Sequence, residues 1–232
     1  DMVISNSPDN PDRLESACVL SDLHMFCRRS HWRAWLPEIR RAVAACDLFV
    51  FNGDTFDFKW SELDSLGASV AAAVDFLHSL ATACPHTRIH INLGNHDHHS
   101  RFIAELEALC RRTPNLSWHP HFLRVEDTLF LHGDAVMGRP SQRRLEDYRD
   151  GWLHRPRADR WKDPVYDALF WTRAPVALSR AAFPSRRTVR RLSRYLEAIG
   201  HGGPDGVRHV YFGHTHVPVR GDRKSTRLNS SH

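Results

Sequence analysis

Five short runs carry the residues able to do chemistry: Ser21-Asp22-Leu23-His24, Asn52-Gly53-Asp54, Gly94-Asn95-His96-Asp97, His132-Gly133-Asp134 and Gly213-His214-Thr215-His216. Within them Asp22, His24, Asp54, Asn95, His132, His214 and His216 supply two carboxylates, one amide oxygen and four imidazoles. That oxygen and nitrogen set suits manganese, iron, zinc or a similar divalent ion. In D-x-H and H-x-H, alternate residues of an extended segment point the same way and can approach a metal together. Seven donors are too many for one ion. They serve two if one carboxylate bridges, and a pair about 3.5–4 Å apart stabilises both the attacking and the leaving oxygen in phosphoryl hydrolysis. Metal also lowers the pKa of water bound to it toward neutrality.

Taken singly, the runs have ordinary explanations. Asp22 could cap a helix beside a surface histidine. Gly53-Asp54 and Gly94-Asn95-His96-Asp97 could be turns. Gly213-His214-Thr215-His216, placed after an apolar strand, points to metal by itself, and all five in one chain make coincidence a poor account. Asp97 and Asp134 are either orienters behind the ligands or simple turn formers.

The elements that must position these residues are legible as alternating patterns. Ala17–Leu20 and residues 48–51 are short apolar runs, and Trp32, Trp35, Leu36, Ile39 and Val43 between them fall at helical spacing, a β-α-β beginning. Further helices are expected over 63–83 and 102–112, with a strand over 88–93 between them. Phe122–Val125 and Thr128–Leu131 straddle Glu126-Asp127 as a hairpin, and a late strand over 207–212 follows a Gly-rich turn. The alternation predicts a layered α/β core. Every chemical run follows a strand, so the runs converge at the carboxyl ends of a sheet, where ligands bind in open α/β folds.

In this order the runs resemble the signature of the calcineurin-like metallophosphoesterases, over about residues 19–218. The resemblance implies an α/β fold, a layered β-sandwich with flanking helices. It implies one metal on Asp22, His24, Asp54 and His216 and another on Asp54, Asn95, His132 and His214, with Asp54 as bridge. His96 then corresponds to the family's histidine beside the site, which gives a proton or hydrogen bond to the leaving oxygen, with Asp97 orienting it. The activity implied is metal-dependent hydrolysis of a phosphoester or diphosphate by activated water, with no covalent enzyme intermediate.

The core spans 17–134 and 203–221, and a helical insertion over 135–202 is expected to cap the site. From Arg139 to Arg194 there are 14 Arg and one Lys against six Asp or Glu, so this segment carries +9 of a chain whose formal net charge is +5. The layout also resembles a narrower branch, the UDP-2,3-diacylglucosamine pyrophosphohydrolases, which insert a helical cap at this point. On that reading Trp152, Trp161, Tyr166, Leu169, Phe170, Trp171, Val176, Leu178 and Phe183 line an acyl-chain pocket. The arginines, Arg139, Arg143 and Arg144 among them, would meet the substrate's phosphates or an acidic membrane surface. The alternative is that the aromatics pack the cap and the arginines form a solvated face. That branch carries Arg where this chain has His96, a departure that weakens the lipid assignment. A nuclease of the same superfamily and a non-catalytic metal-bound scaffold are the competing readings, and the retained ligands and His96 disfavour the scaffold.

Five cysteines, an odd number with no C-x-x-C pair, indicate a reduced compartment. No run approaches 18 uninterrupted apolar residues, and the first 16 residues lack the apolar stretch of a secretory signal. The expected location is the cytoplasm, peripheral to the inner membrane if the basic segment meets lipid. Residues 222–232, DRKSTRLNSSH, read like the translation of a sequencing adapter; without Asp222, Arg223, Lys224 and Arg227 the net charge falls to +3.

Overall fold

The computed structural model describes residues 2–4, 14–137, 141–156, 158, 184–203, 206–214, 220–223 and 226–230, with side chains described only between residues 14 and 214. Side-chain alternation along the strands decides the layers. In β3 (Leu48–Asn52), Phe49 and Phe51 point into a core shared with helices, while Leu48 and Val50 point to a second core with Leu123 and Phe130. A strand buried on both faces reads as one continuous apolar run.

The first sheet is all parallel, in the order β2 (Ala17–Leu20), β3, β4 (Arg88–Asn92), β5 (Leu116–His119). Its outer face is covered by α1 (Trp32–Ala44), α2 (Leu66–Ala83) and α3 (Ser100–Arg112), through Val43, Leu77 and Phe102 among others. By length and composition α2 is apolar enough to cross a membrane. Here Val70, Ala73, Leu77 and Leu80 sit in the core. Ser65 caps α2 by accepting from the Ala68 N–H, and His99 caps α3 by accepting from the Arg101 N–H.

The second sheet is mixed, in the order β1 (Met2–Ile4), β6 (Phe122–Val125), β7 (Thr128–Leu131), β8 (His209–Phe212), β10 (Thr226–Ser230), β9 (Arg220–Arg223). β10 lies wholly inside the adapter-like segment. The outer face of this sheet packs on α4 (Gln142–Asp150) and α5 (Ser185–Ala198), where Leu145, Leu192, Tyr195 and Leu196 join Leu129, Leu131 and Phe212. The molecule is therefore a sandwich of two sheets between two helical layers, as expected. Part of the 135–202 insertion supplies one of those layers. Residues 159–183, with Trp161, Tyr166, Leu169, Phe170, Trp171, Val176, Leu178 and Phe183, lie outside the described residues.

Several elements differ from expectation, among them α2, which starts at Leu66 rather than 63, and the unexpected strands β1, β9 and β10. β5 went unrecognised because Leu-Ser-Trp-His is short and weakly alternating. α3 starts at Ser100, two residues early, because His99 caps it. β8 starts at His209, after Arg208 and His209 both donate backbone N–H groups to Asp127 O at the hairpin turn.

At the carboxyl ends of the strands two asparagines join the sheets. Asn52 donates from Nδ2 to Leu131 O (2.9 Å) and Tyr211 O (3.1 Å), and Asn92 donates to Asn52 Oδ1 (2.8 Å) and Phe130 O (2.9 Å). Both are fully buried. Buried amides of this kind fix one sheet on the other, because slipping would strand them without partners.

Candidate metal centre

Asp22 and His24 follow β2, Asp54 follows β3, Asn95 follows β4, His132 follows β7 and His214 follows β8. Four of these six adopt left-handed backbone, with φ of 55° at Asp22, 45° at His24, 51° at Asp54 and 70° at His214. Such conformations cost about 1–3 kcal/mol each and persist only where the surroundings over-determine them. The surroundings here are specific hydrogen bonds. The Asp22 and His24 N–H groups donate to Gly53 O (3.1 Å) and Asp54 O (2.9 Å). The His96 N–H donates to Asp54 Oδ1 (2.8 Å), and the His214 N–H donates to the Asp22 carboxylate (2.9 Å). Two glycines permit this crowding: a Cβ on Gly94 would lie 2.2 Å from Asp54 Oδ1, and one on Gly213 would lie 2.0 Å from Asp22 Oδ2.

The donors fall into two groups that share Asp54. Ligand atoms of Asp22, His24 and Asp54 lie within 4.8 Å of one another, and so do those of Asp54, His132 and His214. His132 Nε2 is 3.3 Å from Asp54 Oδ2 and 3.2 Å from His214 Nδ1. Asn95 Oδ1 is buried without a hydrogen-bond partner among the described residues, a costly state for an amide oxygen unless a cation faces it. The donor chemistry, the shared carboxylate and this orphaned oxygen together fit two divalent ions. His216, the seventh expected ligand, lies outside the described residues.

The electrostatics are those of imidazoles crowded on carboxylates. Burial alone would lower the pKa of His24, but Asp57, Asp54 and Asp22 outweigh it and raise the value to about 9. His132, where burial is outweighed chiefly by Asp54, rises to about 10. His214, buried beside His132, falls to about 4. Asp54 is held well below the usual carboxylate range: burial opposes this, and His132, His96 and His24 override it.

The carboxylate that faces His96 is Asp57, not Asp97. Asp57 Oδ2 lies 3.2 Å from His96 Nδ1 and 3.5 Å from His24 Nδ1, while Oδ1 accepts from the Lys59 and Trp60 N–H groups (3.1 and 2.9 Å). Asp57 therefore stands behind a metal-group histidine and behind the histidine beside the site, with one oxygen for orientation and one for anchorage. It had escaped the sequence reading, although its place three residues beyond Asp54 was a usable signal. Asp97 instead accepts the Gly94 and Thr55 N–H groups (2.7 and 2.9 Å). Its carboxylate is committed to holding the two ligand turns together. Asp134 is paired: Arg149 of α4 donates Nε–H and an Nη2–H to its two oxygens at 2.8 and 2.9 Å, both side chains buried.

The sequence profile of the calcineurin-like phosphoesterase family matches residues 17–218. The chain belongs to that family. No curated protein matches it significantly. Among solved structures, the crystal structure of the phosphopantetheinyl hydrolase from Mycobacterium tuberculosis is similar at 12% sequence identity, covering 93% of this chain and 88% of that one with a TM-score of 0.44.

Arg143 and Arg144 are exposed on α4, and Arg139 lies outside the described residues. The insertion reaches the site through Trp152, whose ring centroid is 5.0 Å from that of His96, with the Arg155 guanidinium 4.2 Å above the indole. Its backbone is tied to the core where Ser100 N–H donates to Leu153 O and Ala158 N–H to Lys59 O.

Proposed function

We propose that this phosphoesterase hydrolyses a phosphoester or diphosphate bond in an organic phosphate, using two divalent ions, manganese first among them. The observation that carries this reading is the carboxylate of Asp54, shared by two donor groups, with His96 hydrogen-bonded to it through the backbone. When bound, the ions supply an activated water and neutralise charge on the phosphoryl oxygens. Asp22, His24 and Asp54 would hold one ion, and Asp54, Asn95, His132 and His214 the other. With Nδ1 turned to Asp57, His96 is left Nε2 to carry a proton toward the leaving oxygen.

For the substrate, a nucleotide-lipid diphosphate such as UDP-2,3-diacylglucosamine is supported by the position and length of the insertion and by its aromatic and arginine content. His96, in place of that branch's Arg, argues for a different member of the same chemical class. Exposed Arg186, Arg187, Arg190 and Arg194 on α5 favour contact with an anionic membrane surface from the cytoplasmic side. The nuclease alternative predicts strongly salt-dependent binding of single-stranded DNA.

The test is turnover of bis-p-nitrophenyl phosphate by protein stripped with chelator and reloaded with manganese. Asp54→Asn should abolish it, since the shared carboxylate positions both ions. Undiminished turnover by that variant would sink the assignment.

A further inference from the structure

A cleft of about 710 Å³ opens beside the first donor group and runs away from it along the loops after β2 and β3. Its inner wall is made by Asp22, His24, Asp57 and His96, and its outer wall by Arg29, Trp35 and Trp60. The volume falls in the range of about 300–1,000 Å³ that small-molecule sites occupy. Trp35 is 58% exposed, the most exposed large hydrophobic residue among those described, and it stands at the mouth of this cleft. An indole left in water beside a pocket marks a ligand contact better than a scattered surface residue does. The Arg29 guanidinium lies 5.4 Å over the Trp60 ring, a flat cation already set on a flat face.

Which side of the reaction the cleft serves follows from its walls. It is lined by His96, whose proton goes to the leaving oxygen, and by Asp57 behind it; Asn95, His132 and His214 are not on its walls. The group that departs with the proton therefore departs into this cleft. Planar groups suit it because two indoles, Trp35 and Trp60, stand on its wall. A planar ring can stack on an indole face, which an alkyl chain cannot.

Resting on the hydrolytic reading above, we propose that this cleft is the leaving-group subsite and that it takes a planar aromatic group the size of a nucleobase, stacked by Trp60 and Trp35. The test uses the manganese-loaded enzyme with methyl phenyl, methyl 2-naphthyl and methyl 4-hexylphenyl phosphate, whose phenols are of similar acidity. The naphthyl ester should exceed the phenyl ester by about tenfold in kcat/KM, through KM, with no such gain for hexylphenyl. Trp60→Ala and Trp35→Ala should each bring the naphthyl-to-phenyl ratio close to one; the exposure of Trp35 makes its variant safe for folding. Equal use of all three esters, preference for hexylphenyl, or a naphthyl preference that survives both substitutions would overturn the proposal while leaving hydrolysis intact. Failure to turn over any ester would count against the hydrolytic reading instead. Calorimetric binding of 2-naphthylmethylphosphonate then decides the cleft by itself: about tenfold weaker binding by Trp60→Ala supports it, and equal affinity refutes it.

Discussion

Asp22, His24, Asp54 and Asn95 leave the four-stranded sheet, whereas His132 and His214 leave the six-stranded one, and the two sets are anchored by different means. On the first sheet the anchors are local. Backbone N–H groups of Asp22 and His24 bond the turn after the neighbouring strand, Asp97 bridges the turns after β3 and β4, and Asp57 is fixed by its own loop. On the second sheet the His214 N–H bonds the Asp22 carboxylate, and the insertion adds further anchors. Asp134, two residues after His132, is clamped by Arg149 of α4, and Val136 O accepts from Arg191 of α5 at 3.1 Å. The difference teaches that the insertion braces the turn after β7 that carries His132. One half is set by strand register, and the other leans in addition on helices brought from far along the chain.

Breaking the Arg149–Asp134 pair should have the largest effect. Burial would raise the Asp134 pKa, but Arg149 holds it below the usual range, so Arg149→Met leaves a buried carboxylate uncompensated. Urea unfolding should show a loss of about 3–5 kcal/mol, and Arg149→Met with Asp134→Leu should recover much of it. A neutral single variant would mean that the second half does not depend on the insertion.

The next largest effect is on metal uptake. With His24 at about 9 and His132 at about 10, both are protonated in the metal-free chain at neutral pH. Metal needs the neutral imidazoles, so binding must expel protons and weaken as pH falls. Calorimetry in buffers of different ionisation heat should count about two protons released near pH 7, with affinity rising up to a hundredfold per pH unit, about 2.7 kcal/mol. One proton or none would break the symmetry between the halves, since each contributes one of these histidines.

Asp57→Asn sharpens the first half. It weakens the orientation of His24 and His96 together while leaving all seven expected ligands in place, so turnover or metal affinity should fall about 10–100-fold. Asn52→Leu is expected to be the smallest change, about 1–3 kcal/mol in unfolding, because Leu131 O and Tyr211 O lose their amide donor at the seam between the halves.

Much of this was legible in the chain. Strands β2, β3, β6 and β7 could be placed within a residue because apolar runs bounded by turn residues report burial directly. The five chemical runs stood out for a related reason: each sets Asp, Asn or His beside glycine or a second such residue over a few positions, and that spacing holds whatever the rest of the fold does. Less legible was β5, whose four residues show little alternation. Asp57 was passed over because the loop that turns it back beneath His24 and His96 has no period to read.

The sequence by itself singled out Asp22, His24, Asp54, His132 and His214, which the structure gathers at the strand ends, since residue type and spacing are fixed over a few positions. Only the tertiary structure decided that Asp57 rather than Asp97 stands behind His96, and that Arg149, one of 14 arginines between residues 139 and 194, is the buried partner of Asp134. Those pairings are settled by which side chains lose water together when distant segments pack, a property of the assembled layers that no local pattern carries.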